Sequence, residues 1–104
     1  MGAGVFYVDF SADNSVRMAF ADRGQRPPSP TVSYCHNLSD LDAEIGKFLT
    51  DHGGPELIGA ALSVCGWDRE GVFEMPNHSY QIDREWVRER LAAPAEGRTR
   101  LSPS

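Results

Sequence analysis

The sequence predicts an α/β domain with a mixed sheet and two helices, and three observations carry that expectation. Residues 5–21, VFYVDFSADNSVRMAFA, read as two strands folded back on a short polar loop. Within them VFYV is an unbroken apolar, β-rich run, while Val16, Met18 and Phe20 alternate with Ser15, Arg17 and Ala19 at the period of a strand with one covered face. Further on, Leu41, Ile45, Phe48, Leu49 and His52 fall on one side of a helix, with Asp42, Glu44, Lys47 and Asp51 on the other. Residues 57–64, LIGAALSV, are apolar at both alternate sets of positions, which suits a strand covered on both faces and parallel to a neighbour. The amphipathic helix between an early strand and this one supplies the crossover.

Taken in order, the hairpin is followed by a turn at Asp22-Arg23-Gly24 and by residues 25–30, whose three prolines exclude helix and central strand. Thr31-Val32-Ser33-Tyr34 offers a third short strand, so the first three strands form an antiparallel meander. Ser39 is a suitable N-cap for the amphipathic helix, which Gly53-Gly54-Pro55 stops. After the strand at 57–64, residues 66–71 read as a turn and Val72-Phe73-Glu74-Met75 as a short strand ended by Pro76-Asn77. Asp83 caps a second helix, with Ile82 placed to pack on Val87 as a hydrophobic staple and with Trp86 and Leu91 extending the buried stripe. Pro94 ends it. Residues 1–93 thus form one domain, and residues 94–104, AEGRTRLSPS after the proline, are expected to be a disordered tail for want of apolar content.

The 104 residues suit a single core, and 40% apolar with 24% charged residues is ordinary globular composition. Fifteen acidic against ten basic residues give a net charge of −5, which argues against direct nucleic-acid binding by phosphate neutralisation and is compatible with a basic protein partner. Cys35 and Cys65 stand in no CxxC or other close ligand spacing, and with His36, His52 and His78 they make no recognisable metal motif. No metal is therefore expected. The N-terminus shows no signal-peptide pattern, and no apolar run approaches the ~20 residues that cross a bilayer. The expectation is a cytoplasmic protein with no membrane contact.

Three segments are similar to the bacterial glucokinases, sugar kinases of the hexokinase–actin superfamily, over roughly residues 4–92. VDFSADNSVRMAFAD resembles the family's Asp-x-Gly-Gly-Thr-Asn-x-Arg hairpin at Asp9, Asn14 and Arg17; IGAALSVCG resembles a family strand; MPNHSYQID, followed by a helix, looks like the family's Asn-His-x-Trp segment with Tyr80 at the aromatic position. The resemblance implies the N-terminal half-domain only, of ribonuclease-H-like (actin/hexokinase-type) fold: the meander plus a further strand and two helices. It also implies Asp9 and Asn14 as nucleotide or Mg²⁺ contacts and Asn77 and His78 as substrate contacts.

The departures bear on activity. A phosphate-cradling turn needs glycines that tolerate unusual φ and leave backbone N–H groups clear, yet Ser11-Ala12-Asp13 has none and Asp13 adds negative charge. In the glucokinases the carboxylate that accepts the sugar proton lies in an Asn-Asp pair on a strand after the second helix, a strand before which this chain is expected to end. Without that strand, the segment at 57–65 would lie at a sheet edge, an aggregation hazard unless covered. Leu57, Ala60, Leu62 and Val64, with Trp67, are then the expected interface, either to a second copy or to another protein. The expected function is a non-catalytic interaction module without cofactors, in the manner of a small acidic inhibitor or regulator of a larger complex. The alternative is a glucokinase-related fragment or half of a split sugar kinase that keeps weak affinity for ATP, Mg²⁺ and glucose.

Overall fold

The computed structural model describes residues 3–11, 15–76 and 78–100. Its elements in chain order are β1 (Ala3–Phe10), β2 (Ser15–Asp22), β3 (Thr31–Tyr34), α1 (Leu38–Asp51), β4 (Glu56–Cys65), β5 (Trp67–Arg69), β6 (Val72–Glu74), β7 (Ile82–Asp83), α2 (Arg84–Leu91) and β8 (Ala95–Arg100). A five-stranded mixed sheet runs β3-β2-β1-β4-β8, and a small sheet runs β5-β6-β7. The meander forms as the pattern predicts: β1 pairs antiparallel with β2, and β2 with β3. The crossover through α1 then sets β4 parallel to β1.

Burial alternates strictly along β1, with Phe6, Val8 and Phe10 on the covered face. They meet Val16 and Met18 of β2 and Ala60, Leu62 and Val64 of β4 in one core, which α1 covers with Leu41, Ile45 and Phe48 and α2 with Val87 and Leu91. Both helices lie on this face. Phe6 and Phe48 rings meet at 5.6 Å, and Arg90 of α2 ion-pairs with Asp42 of α1 to tie the helices together. No helix among the described residues is long and apolar enough to cross a membrane.

Residues 95–100 are not a disordered tail. They form β8, parallel to β4 from Ala60↔Ala95 to Cys65↔Arg100. Glycine at 97 is what lets it settle: a Cβ there would lie 2.9 Å from both Cε atoms of Phe73 and closer still to Cζ, so the Phe73 ring seals the strand. Residues 101–104 lie outside the described residues.

The expected edge at residues 57–65 is corrected by the same strand. Because β8 pairs with it on one side and β1 on the other, β4 is interior, and Ala60, Leu62 and Val64 are at most 5% exposed. Nor is β4 covered on both faces: its alternate residues, such as Ala61 and Ser63, are only half-buried.

Smaller differences have local causes. The N-cap of α1 is Asn37 rather than Ser39, because its Oδ1 accepts the Asp40 N–H at 2.8 Å while the Asp40 carboxylate accepts the His36 N–H. Residues 66–71 are not all turn: Trp67–Arg69 pairs with Val72–Glu74, and only Glu70 and Gly71 turn, both at positive φ, as a two-residue hairpin with the strands' own twist requires. Asp83 caps α2 as expected, accepting the Glu85 N–H, and Gly53 at φ +82° follows the C-cap of α1.

Candidate functional site

Because β1, β4 and β8 are parallel, their carboxyl ends share one rim, the place where open α/β sheets gather ligands. The segment after β6 folds across that rim. Met75 and His78 are buried, and Nε2 of His78 lies 3.0 Å from the Ser11 carbonyl at the end of β1. The carbonyl can only accept, so Nε2 is the donor, and in the neutral tautomer this bond selects, Nδ1 presents a lone pair. The ring stands edge-on to Phe10 at 5.8 Å and to Tyr80 at 5.6 Å. Ser79 donates its hydroxyl to the His36 carbonyl at 2.6 Å, fastening the segment to the loop before α1.

Two polar atoms in this cluster, Nδ1 of His78 and the Tyr80 hydroxyl, are buried without a hydrogen-bond partner among the described residues. Such atoms are uncommon in folded proteins, and here two belong to rings in edge contact. Burial holds the Tyr80 phenol well above its ordinary pKa, with Cys35 and Asp40 adding to the effect. Burial likewise pushes the Cys35 thiol up to about 11, with Glu44 and Asp40 contributing. Cys35 is therefore a protonated core residue at neutral pH, and not a thiolate nucleophile.

Asp9 lies half-buried near the end of β1, opposite Arg17 of β2 and level with Ser63 of β4. Neighbouring residues of a strand face opposite ways, so Asp9 belongs to the face away from the helices, whereas His78 packs by Phe10 on the helix side. The structure thus sets these two predicted residues on opposite faces of β1. The predicted contacts Asn14 and Asn77 fall outside the described residues. Of the predicted interface residues, Ala60, Leu62 and Val64 are core, Leu57 is half-buried, and only Trp67, 52% exposed on β5, remains open to a partner.

The face away from the helices carries a groove of about 610 Å³ that sequence reasoning did not anticipate, floored by Tyr7, Asp9, Ala61 and Ser63 and bordered by Arg17 and Arg98, with Pro27, Pro28 and Pro30 over it. The signal for its β8 wall was the alternation of Glu96 and Arg98 with Ala95 and Gly97, which carries little apolar weight. No group of three or more His, Cys, Asp or Glu among the described residues could hold a metal ion.

No protein-family model matches the sequence, and no curated protein matches it. Solved structures do match in fold. A ROK family transcriptional regulator, described as a homolog of the E. coli MLC protein, superposes with a TM-score of 0.71 at 16% identity, covering 95% of this chain and 28% of its own. A glucokinase from an Antarctic psychrotroph gives 0.70 at 10% identity, with 90% and 32% covered. A ROK family protein from Streptococcus pneumoniae TIGR4, solved with sucrose, gives 0.67 at 18% identity, with 92% and 34% covered. The chain therefore spans about a third of the length of each of these structures, and what it shares with the sugar kinases and ROK regulators is the fold of that third.

Proposed function

We propose that the chain is a non-catalytic protein-interaction module built on a sugar-kinase-type scaffold of ribonuclease-H-like topology. The topology is supported by the strand order β3-β2-β1-β4-β8, with the first three strands antiparallel and the last two parallel to β1. The observation that carries the functional reading is β8. It is the strand after the second helix, where the resemblance to glucokinases locates an Asn-Asp pair, and from Ala95 onward the sequence AEGRTRLSPS holds neither residue. Phosphoryl transfer rests on positioning and charge stabilisation by base, metal and phosphate cradle. Here the strand that would present the base carries Glu96 and Arg98, and the loop after Asp9 lacks glycine.

In this reading the protein works in the cytoplasm without a cofactor, and its net charge of −5 suits regulation or inhibition of a basic partner protein. The test is calorimetry with ATP, Mg²⁺ and glucose, alongside a coupled assay for glucose phosphorylation. No heat of binding and no turnover are expected; either one overturns the reading.

One observation favours the alternative, a glucokinase-related fragment or half of a split kinase that keeps a weak ligand contact. The unpartnered acceptor on His78 and donor on Tyr80 together complement a hydroxyl group. Under that reading glucose shifts the His78 ring resonances in an NMR titration, and Tyr80→Phe abolishes the shift.

A further inference from the structure

β8 ends the five-stranded sheet, and among the described residues its outer edge pairs with no other strand. The direction of its backbone groups follows from one hydrogen bond. The Ala60 N–H donates to the Pro94 carbonyl at 2.8 Å, and in a ladder alternate residues address alternate sides. Glu96 and Arg98 therefore turn their backbone groups to β4, while Ala95, Gly97 and Thr99 turn theirs outward. Beside the start of the strand, between it and α2, lies a groove of about 620 Å³, so an approaching chain meets open space.

The charges on this strand alternate in sign along one face, Glu96 then Arg98, both exposed. Charged side chains, such as lysines, guard an edge against self-association when like charges would meet. This one is complementary to itself. When two copies of β8 lie antiparallel about a two-fold axis at Gly97, the outward groups of Gly97 bond to those of the other Gly97, and Ala95 bonds to Thr99 across the axis. The residues between them then become the close, non-hydrogen-bonded pairs of an antiparallel ladder. In that register Glu96 of each copy falls opposite Arg98 of the other, and opposite charges so placed attract.

We propose that the partner of this edge is a second copy of the same chain, joined through β8 to β8 in that register, so that the two sheets become one. The proposal rests on the interaction-module reading and names its surface. It differs from the edge contact expected through residues 57–65, because residues 60–65 are covered by β8.

The experiment is light scattering on the chain over a range of concentrations, with and without ATP, Mg²⁺ and glucose, and with circular dichroism to establish folding. The expected mass is about twice the 11.5 kDa of one chain, indifferent to ligands. Glu96→Arg and Arg98→Glu each set like charges opposite one another and are expected to give folded monomers. The double exchange Glu96→Arg with Arg98→Glu restores the opposite pairs and should restore the dimer. Thr99→Pro removes an outward N–H that β4 does not use and should also give a folded monomer. A monomeric wild type, or single variants that remain dimeric, overturns the β8 pairing, as does a double exchange that fails to rescue. A monomer that binds no ligand leaves the interaction reading with a different protein as partner, whereas a monomer that binds nucleotide or sugar overturns both.

Discussion

Replacing Gly97 with alanine tests where the last strand lies. The added Cβ would meet the Phe73 ring at 2.9 Å to each Cε and closer at Cζ, well inside the ~3.5–4.0 Å at which carbon atoms rest. Phe73 is fully buried, with Arg84 stacked over it at 5.6 Å, so the ring has little freedom to retreat. Overpacking of this kind costs about 1–3 kcal/mol, offset by the ~0.5–1 kcal/mol that alanine recovers over glycine in the unfolded chain and the strand. The net expectation is a loss of about 1–2 kcal/mol, read from urea denaturation as a lower midpoint at unchanged m. Phe73→Leu, which removes ring atoms at the point of collision, should relieve Gly97→Ala, and the double-mutant cycle should show coupling of at least ~1 kcal/mol. A neutral or stabilising Gly97→Ala would refute the placement of β8 against Phe73, and additive costs would refute the contact.

Other expectations are simpler to test. His78→Ala removes the bond to the Ser11 carbonyl and a ring buried between Phe10 and Tyr80; a loss of about 1–3 kcal/mol is expected in denaturant melts, along with faster proteolysis near residue 11. Asn37→Ala deletes the α1 cap and should cost about 1 kcal/mol, whereas Ser39→Ala should cost far less, since Ser39 does not cap. The half-exposed Arg90 and Asp42 pair should contribute under ~1 kcal/mol in a charge-removal cycle, and less at high salt. Cys35 ionises at about 11 when folded against 9.0 as its ordinary value, so its contribution is complete below pH 9 and is lost as pH rises towards 11. Its slope is at most ~1.4 kcal/mol per pH unit. Stability that stays level across that window in the wild type, or falls equally in Cys35→Ala, would refute this assignment.

Much of the fold was legible because periodicity carries packing information. The alternation Val16, Met18, Phe20 and the helical spacing Leu41, Ile45, Phe48 each name a face that packs into the core, with Phe20 half-buried, and a core can be assembled from such faces alone. β2 is not covered on one face only, however, since Ser15 and Ala19 of the alternate set are buried too. β8 was illegible for a matching reason. AEGRTR has only one apolar side chain, and its strand conformation depends on a ladder with β4 and on the lid of Phe73, both distant in sequence. Missing it displaced the sheet edge by one strand and put core residues such as Leu62 at a supposed interface. Trp67–Arg69 was obscured because WDR exposes every side chain; the two-residue turn at Glu70-Gly71 sets that strand. At the site, the Asn-His-x-aromatic segment named His78 and Tyr80, which the fold brings into ring contact. It gave no sign that His78 and Tyr80 would be held together with unpartnered polar atoms, which is a property of the fold around them.

The contact between Phe73 and Gly97 also governs how the molecule can come apart. The small sheet is too narrow for a core of its own, and its central strand is anchored by a ring that belongs to the main core. Releasing β8 removes the surface on which that ring rests, and withdrawing the ring uncovers β8. The two should therefore open as one cooperative unit, with amides of β6 and β8 exchanging with solvent at a common free energy, below that of the β1–β2 hairpin. The chain's last strand and its smallest sheet are thus one thermodynamic piece, although they lie in different sheets.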